Sequence, residues 1–327
     1  MKRKVRHGLI PTFAIATLLV AGISQAQDRG WSTKDVGLGG RDLNAVYFLD
    51  SKRGWIGGDG GLLAVTDDGG VTWVQQPLGT AHGINDVYFV GKDTGFALAG
   101  GSIFSTEDGG HSWRESHKFA ASEFAGADPE LYSLRFNGKK RAWVVGSASR
   151  GDVIVNSLLA ITRDGGASWL IQRALTQQEL IHIDFVDEKR GWIVGAGGAI
   201  LHTNDAGESW TKQNSDTTVT LFHVDFRNER QGLAVGERGT ILRTDDGGRV
   251  WTKITAPTRS TLLSVQFVSE DEAWIVGRGG VILRSGNGGL TWIEQESSTR
   301  QNLFALFINK KNGWAVGSDG LILKYER

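Results

Sequence analysis

Acidic side chains return at one fixed place in this chain. Asp68, Asp108, Asp164, Asp205 and Asp246, with Asn287 in a sixth copy, each stand third in an eight-residue phrase; Thr66 to Trp73 reads TDDGGVTW, and the others are TEDGGHSW, TRDGGASW, TNDAGESW, TDDGGRVW and SGNGGLTW. Carboxylates in sets are the groups of general acid–base chemistry, and a pair flanking a sugar linkage hydrolyses it. One version of that chemistry also needs inward arginines, a nucleophilic Tyr with a Glu partner and a separate acid. Of the four tyrosines, Tyr47, Tyr88 and Tyr132 fall in or beside equivalent segments, aligned with His182, His223 and Ser264 or their neighbours, and Tyr325 belongs to the final segment. They read as repeat fillers, so no catalytic residue is expected. An amide at Asn287 keeps the hydrogen-bonding oxygen and drops the charge, which marks turn capping as the shared requirement.

Other chemistries find less support. His82, His111, His117, His182, His202 and His223 are scattered over different repeat positions, and no carboxylate accompanies them at consistent spacing, so no metal is expected. The Gly-rich turns join two strands and none opens a helix, which excludes a phosphate cradle, and no cofactor is expected. There is no cysteine, hence no disulfide and no thiolate chemistry. Residues 1–26 combine a basic start, a short apolar stretch and Ser24-Gln25-Ala26, the pattern of a cleaved secretory signal. Without them 32 Lys and Arg face 36 Asp and Glu, a net charge of −4 that gives no reason to expect nucleic acid. An exported protein, periplasmic or lumenal, follows.

The elements that must position these residues are strands. The terminal tryptophans of the six phrases are 40, 56, 41, 41 and 41 residues apart, and a period near 40 is that of propeller blades of four strands. Alternating runs recur seven times, at 43–48, 84–89, 131–136, 180–185, 221–226, 262–267 and 303–308, each followed by a Gly-Trp-like second strand and a Gly-rich turn into a third. The last period stops after its third strand, whereas residues 30–35 form a fourth strand with no blade before it. The two fragments complete one blade. The fold class is therefore all-β, a seven-bladed β-propeller over 27–327 closed by an N-terminal clasp strand.

Strand order sorts the turns by face. On the face carrying the fourth-to-first and second-to-third connections lie Arg41, Arg150, Arg173, Arg238, Arg259, Arg278 and Arg300, four of them from consecutive blades, against Asp59, Glu123, Asp128, Asp152, Asp216, Glu237 and Asp319. Arginine forks suit carboxylates and carbonyls of a protein partner, so this is the candidate docking patch. The long interval places an insertion in the third blade, in two parts at 116–130 and 147–156 on the same face, and its Phe119 and Phe124 are the expected apolar anchor.

The repeated phrase resembles the Asp box, or bacterial neuraminidase repeat, found in sialidases and other glycosidases, and a glycan-binding or glycosidase-like propeller is the alternative reading. The combination of Gly191-Trp192-Ile193-Val194-Gly195, Ala199-Ile200-Leu201-His202-Thr203 and Asp205-Ala206-Gly207-Glu208-Ser209-Trp210 resembles the photosystem II stability and assembly factor family of exported propellers. That resemblance covers residues 30 to 327. It implies a non-enzymatic, monomeric assembly factor whose partner is a membrane-protein subunit or assembly intermediate on the periplasmic or lumenal side, with no small-molecule substrate.

Overall fold

The computed structural model describes residues 30–172 and 176–326. The leader expected at 1–26, and Arg173, lie outside the described residues. Seven four-stranded antiparallel sheets follow one another in chain order. Their inner strands are Leu43–Phe48, Ile84–Phe89, Asp128–Asn137, Leu180–Phe185, Leu221–Phe226, Leu262–Phe267 and Leu303–Ile308, and these define blades 1 to 7. Consecutive inner strands pack side by side, blade 7 against blade 1 included, so the ring is closed.

Blade 7 is built from both ends of the chain. Its order is Trp31–Lys34, Ile322–Glu326, Asn312–Gly317, Leu303–Ile308, with Trp31 opposite Tyr325 and Lys34 opposite Ile322. The clasp occupies the edge that would otherwise be open to another chain.

One aromatic arrangement joins the blades. The second-strand tryptophan of one blade lies flat on the phenylalanine that ends the next inner strand: Trp55 on Phe89 at 3.8 Å, Trp143 on Phe185 at 4.1 Å, Trp192 on Phe226 at 3.5 Å and Trp314 on Phe48 at 3.7 Å. Each phenylalanine then meets edge-on the tryptophan ending its own blade's repeated phrase, as Phe48 does Trp73 at 5.9 Å and Phe226 does Trp251 at 5.7 Å. Fully burying such a ring removes about 150–250 Å² from water, about 4–6 kcal/mol before entropy is counted. Glycine closes the joint. At Gly110, φ is +81° and an added Cβ would come 2.7 Å from the Trp55 indole nitrogen; at Gly70 the same atom would come 2.7 Å from that of Trp314.

The repeated phrase caps its own turn as expected. Asp68 Oδ1 accepts the backbone N–H groups of Val71 and Thr72, both at 2.9 Å, while the Thr66 hydroxyl donates to it at 2.8 Å and accepts the Gly70 N–H at 2.9 Å. The same carboxylate takes the Thr72 hydroxyl at 2.6 Å, and that bond leads the effects that hold it down at about 2. Asn287 reproduces the turn: its oxygen accepts the Thr291 N–H at 2.9 Å and its amide donates to the Thr291 hydroxyl at 2.9 Å. The charge is dispensable because an amide oxygen has the same lone pairs.

The insertion differs from the loops expected of it. The second part is a continuation of the ladder, because Arg141–Arg150 and Val153–Thr162 pair almost to their tips, leaving only Gly151 and Asp152 as the turn. The first part holds a short 3-10 turn at Ala121–Phe124. Its Phe119 and Phe124 are 2% and 5% exposed, packed with Phe96, Leu98 and Leu131, so they are core and not an exposed anchor. The Phe119 N–H bonds the Gly101 carbonyl at 3.0 Å, which folds the segment back onto blade 2.

At the seam the clasp supplies the missing ring: Trp31 stands edge-on to Trp274 at 5.8 Å and against Tyr325 at 5.3 Å. Trp31→Ala should lower the unfolding free energy by about 3–5 kcal/mol, read from the urea midpoint. A loss below about 1 kcal/mol would mean that the clasp does not hold the ring.

Candidate partner-binding face

Arg238 and Arg278 stand in the turns Glu237–Gly239 and Arg278–Gly280 of blades 5 and 6. Arg259 and Arg300 stand in the connections entering blades 6 and 7, and the turns press against these connections: a Cβ on Gly239 would come 2.1 Å from the Thr258 carbonyl oxygen, and one on Gly280 2.2 Å from that of Thr299. Turn and connection thus interlock, and the four arginines form a band over blades 5 to 7. All four are exposed, as are Arg41 and Arg150.

Pairing separates this band from most arginines of the opposite face, where only Arg230 and Arg249 among the described residues lack an ion pair. Arg53, Arg141, Arg163, Arg190, Arg227, Arg243 and Arg284, whose strand ends and turns lie on the opposite face, each contact a carboxylate. Arg41, Arg238, Arg259, Arg278 and Arg300 make no ion pair with any of the described residues. Arg150 is different again, since its guanidinium donates to the Ala125 carbonyl of the insertion. Arg238 also has φ of +57° where blades 4 and 6 use Gly197 and Gly279. A side chain in that region costs about 1–2 kcal/mol, and such strain concentrates at functional positions.

The face has a central opening. Every inner strand shifts register at an equivalent place, after its first residue in six blades and after the fourth in the extended strand of blade 3: Leu43/Ala45, Ile84/Asp86, Leu131/Ser133, Leu180/His182, Leu221/His223, Leu262/Ser264 and Leu303/Ala305. The residue inside each shift, Asn44, Asn85, Tyr132, Ile181, Phe222, Leu263 or Phe304, leaves the ladder and lines a cavity of about 350 Å³ at the mouth of the channel. Asp86, Ser133, Arg135, His182, His223 and Ser264 line it more deeply. The sequence reading omitted these positions. Their signal was an apolar residue directly after the inner strand's leading leucine in blades 4 to 7, where strict alternation calls for a polar one.

Deeper groups serve the ring itself. Asp184 accepts the Phe226 N–H at 2.8 Å, Asp225 the Phe267 N–H at 2.7 Å, and Gln266 the Ile308 N–H at 2.9 Å, each reaching into the next blade. Asp86 takes the Leu134 N–H at 2.9 Å and the Arg135 guanidinium at 2.8 Å; Arg135 also donates to His182 Nε2 at 3.0 Å. His182 stacks on His223 at 3.6 Å, and burial lowers both, His223 to about 3, so both rings are neutral. Burial and the neighbouring Asp184 push Asp225 up to about 8. These acids are the pair a glycosidase would need, yet each has an oxygen committed to the adjoining strand.

These observations define a seven-bladed Asp-box propeller with an open, arginine-banded mouth. Residues 147–218, 210–301 and 260–326 match the family described as Photosynthesis system II assembly factor YCF48, and the chain belongs to that family. A curated relative, the photosystem II assembly lipoprotein Ycf48 of Synechococcus sp. (strain CC9902), is 27% identical over 186 residues, 54% of this chain and 51% of that protein. The chain thus matches about half the length of that relative. Among solved structures, YCF48 bound to a D1 peptide is similar at 21% identity and TM-score 0.73, covering 91% of this chain and 97% of that one. YCF48 from Cyanidioschyzon merolae follows at 18% and 0.71, covering 91% and 99%. A catalytically inactive virginiamycin B lyase from Staphylococcus aureus, at 12% and 0.74 with the same coverage, shares the propeller fold.

Two outcomes test the geometry. Arg238→Gly should raise the unfolding free energy by about 0.5–1 kcal/mol by relieving the left-handed backbone, measured by urea denaturation. Unchanged or lower stability would remove the argument from strain. Because Asp225 keeps its proton to about 8 in the folded chain but only to about 4 when unfolded, stability falls as pH rises through that window. The neutral histidines act in the opposite sense below about 6.5, so the decline is to be read from pH 6.5 to 8.5. Asp225→Asn should flatten it, and an equal decline in the variant would contradict the assignment.

Proposed function

We propose that this chain is an exported, non-enzymatic assembly or stability factor that binds a membrane-protein subunit or assembly intermediate, as a monomer, through the face bearing Arg238, Arg259, Arg278 and Arg300. The observation that carries this reading is the contrast in pairing. Seven arginines on the opposite face pair with neighbouring carboxylates, leaving Arg230 and Arg249 there without an ion pair among the described residues. All four arginines of this band are exposed and unpaired on rigid turns, a surface suited to acidic groups of a protein. Membership of the assembly-factor family supports a role of this kind, and a similar propeller solved with a D1 peptide supports a peptide-like stretch of a membrane subunit as the client. The glycosidase reading is the weaker one, because the channel acids hold backbone N–H groups of the ring.

Crosslinking capture from the host envelope provides the test, with the wild type compared against Arg238→Glu, Arg259→Glu, Arg278→Glu and Arg300→Glu combined. Capture of one membrane-complex subunit by the wild type, reduced at least about tenfold in a variant that keeps its melting temperature, is expected. Equal capture by both proteins would discard this face.

A further inference from the structure

One strand edge of the ring is left uncovered. In six blades the fourth strand, or the clasp, reaches the start of the third strand or comes within one residue of it: Leu62 faces Pro77, Ser102 faces Lys118, Gln213 bonds Ile200, Ile241 faces Ile254, Gln295 bonds Ile282 and Ile322 faces Lys34. In blade 3 the third strand begins at Val153, yet the first bond from its fourth strand is the Gln172 N–H to the Leu159 carbonyl at 2.8 Å. The connection to blade 4 touches the strand at Ser157, whose hydroxyl donates to the Thr176 carbonyl. Val153 to Asn156 therefore present an outer edge that no described residue pairs. Edges are normally blunted by charge, proline, cover or a bulge. The other outer strands carry Pro77, Lys118, Lys212, Lys253, Glu294 and Lys34, whereas Val153-Ile154-Val155-Asn156 has neither charge nor proline. Its bulge at Val155 twists the strand without pairing it, and Val153 and Ile154 stay 64% and 37% exposed.

We propose that Val153 to Asn156 is a strand-addition site, where an extended segment of a partner protein adds a further strand to the outside of blade 3. That segment is uncharged and β-branched where it faces Val153 and Ile154, and basic where it passes the hairpin tip. Unpaired main-chain groups select an extended chain, and exposed β-branched side chains select their like across the strands. Charge selects the basic end. Asp128 and Asp152 at the tip are exposed and in no ion pair among the described residues, and Glu123 nearby accepts the Ala120 N–H; Arg150 of the same hairpin donates to the Ala125 carbonyl. The edge is ready before binding, because Arg141–Arg150 holds Val153–Thr162 on one side and is itself held by Asp128–Asn137 on the other, which lowers the cost of association. In a closed ring of seven, blade 3 stands across from blades 6 and 7, so the site is independent of the arginine band.

Fluorescence anisotropy with synthetic peptides tests this on the purified protein. One labelled peptide alternates Thr and Val and ends in Lys-Lys; a second is the same with every backbone nitrogen of the Thr-Val stretch methylated; a third ends in Glu-Glu. The first should bind the wild type, and the methylated and the acidic peptides should each bind at least about tenfold more weakly. Val153→Ser combined with Ile154→Ser leaves the charge unchanged and touches only exposed side chains, so it should weaken the first peptide about tenfold while melting temperature is retained. Asp128→Asn combined with Asp152→Asn should remove the preference for Lys-Lys over Glu-Glu. The four-arginine variant should bind the first peptide as the wild type does. Failure of the first peptide to bind, equal binding of its methylated twin, or affinity unchanged in the serine variant would overturn strand addition at this edge. Concentration-dependent dimerisation in sedimentation, lost in the serine variant, would give the edge to a second copy of the chain and overturn the assignment to a partner.

Discussion

The stack of a second-strand tryptophan on the phenylalanine of the following blade is the contact on which this ring depends. Adjacent propeller sheets share no hydrogen-bonded ladder, so their wedge must be filled by large rings that keep water out. The repeated phrase is built around that need. Its second glycine lets the turn come within reach of the neighbouring indole, its carboxylate or amide locks the turn, and its own tryptophan meets the phenylalanine edge-on. Variation follows the same logic: where the second strand carries Phe96, the partner Phe136 lies at 4.5 Å, and where blade 7 has no phrase, Trp31 from the other end of the chain takes its place beside Trp274.

A second constraint governs the channel. Inner strands have a neighbour on one side only, which leaves a row of N–H groups facing the axis, and buried donors need partners. Asp86, Asp184, Asp225 and Gln266 supply them across the blade boundary. Polar and ionisable groups therefore accumulate along the axis for structural reasons. This is why a carboxylate pair with an upward shift does not by itself make an active site here.

Differences between blades are concentrated where neither constraint acts. Turns and connections on one face, and the residue displaced at each register shift, are free to differ between blades. The differences are not random: paired amides and acids gather on blades 1 to 3, apolar residues on blades 4 to 7 and unpaired arginines on blades 5 to 7. A scaffold of near-identical blades thus acquires a polarised face, and the chain belongs to the assembly-factor family.

The repeat, the seven blades and the clasp were legible in the residues themselves, because period, Gly-Asp turns and tryptophan spacing are local properties that every copy repeats. The arginine face was legible too, since strand order alone assigns each turn to a side. Tertiary structure decided what those local signals leave open. Phe119 and Phe124 read as exposed loop residues, yet the Phe119 N–H extends the blade 2 ladder to Gly101 and both rings pack into the core. Ile181, Phe222, Leu263 and Phe304 read as ordinary strand residues, yet a register shift turns them to the channel mouth. Which arginines are free depends on carboxylates distant in sequence, as when Glu208 takes both Arg141 and Arg163. Periodicity fixes the direction of a side chain only while the ladder is regular, and burial and pairing depend on groups brought together from other parts of the chain.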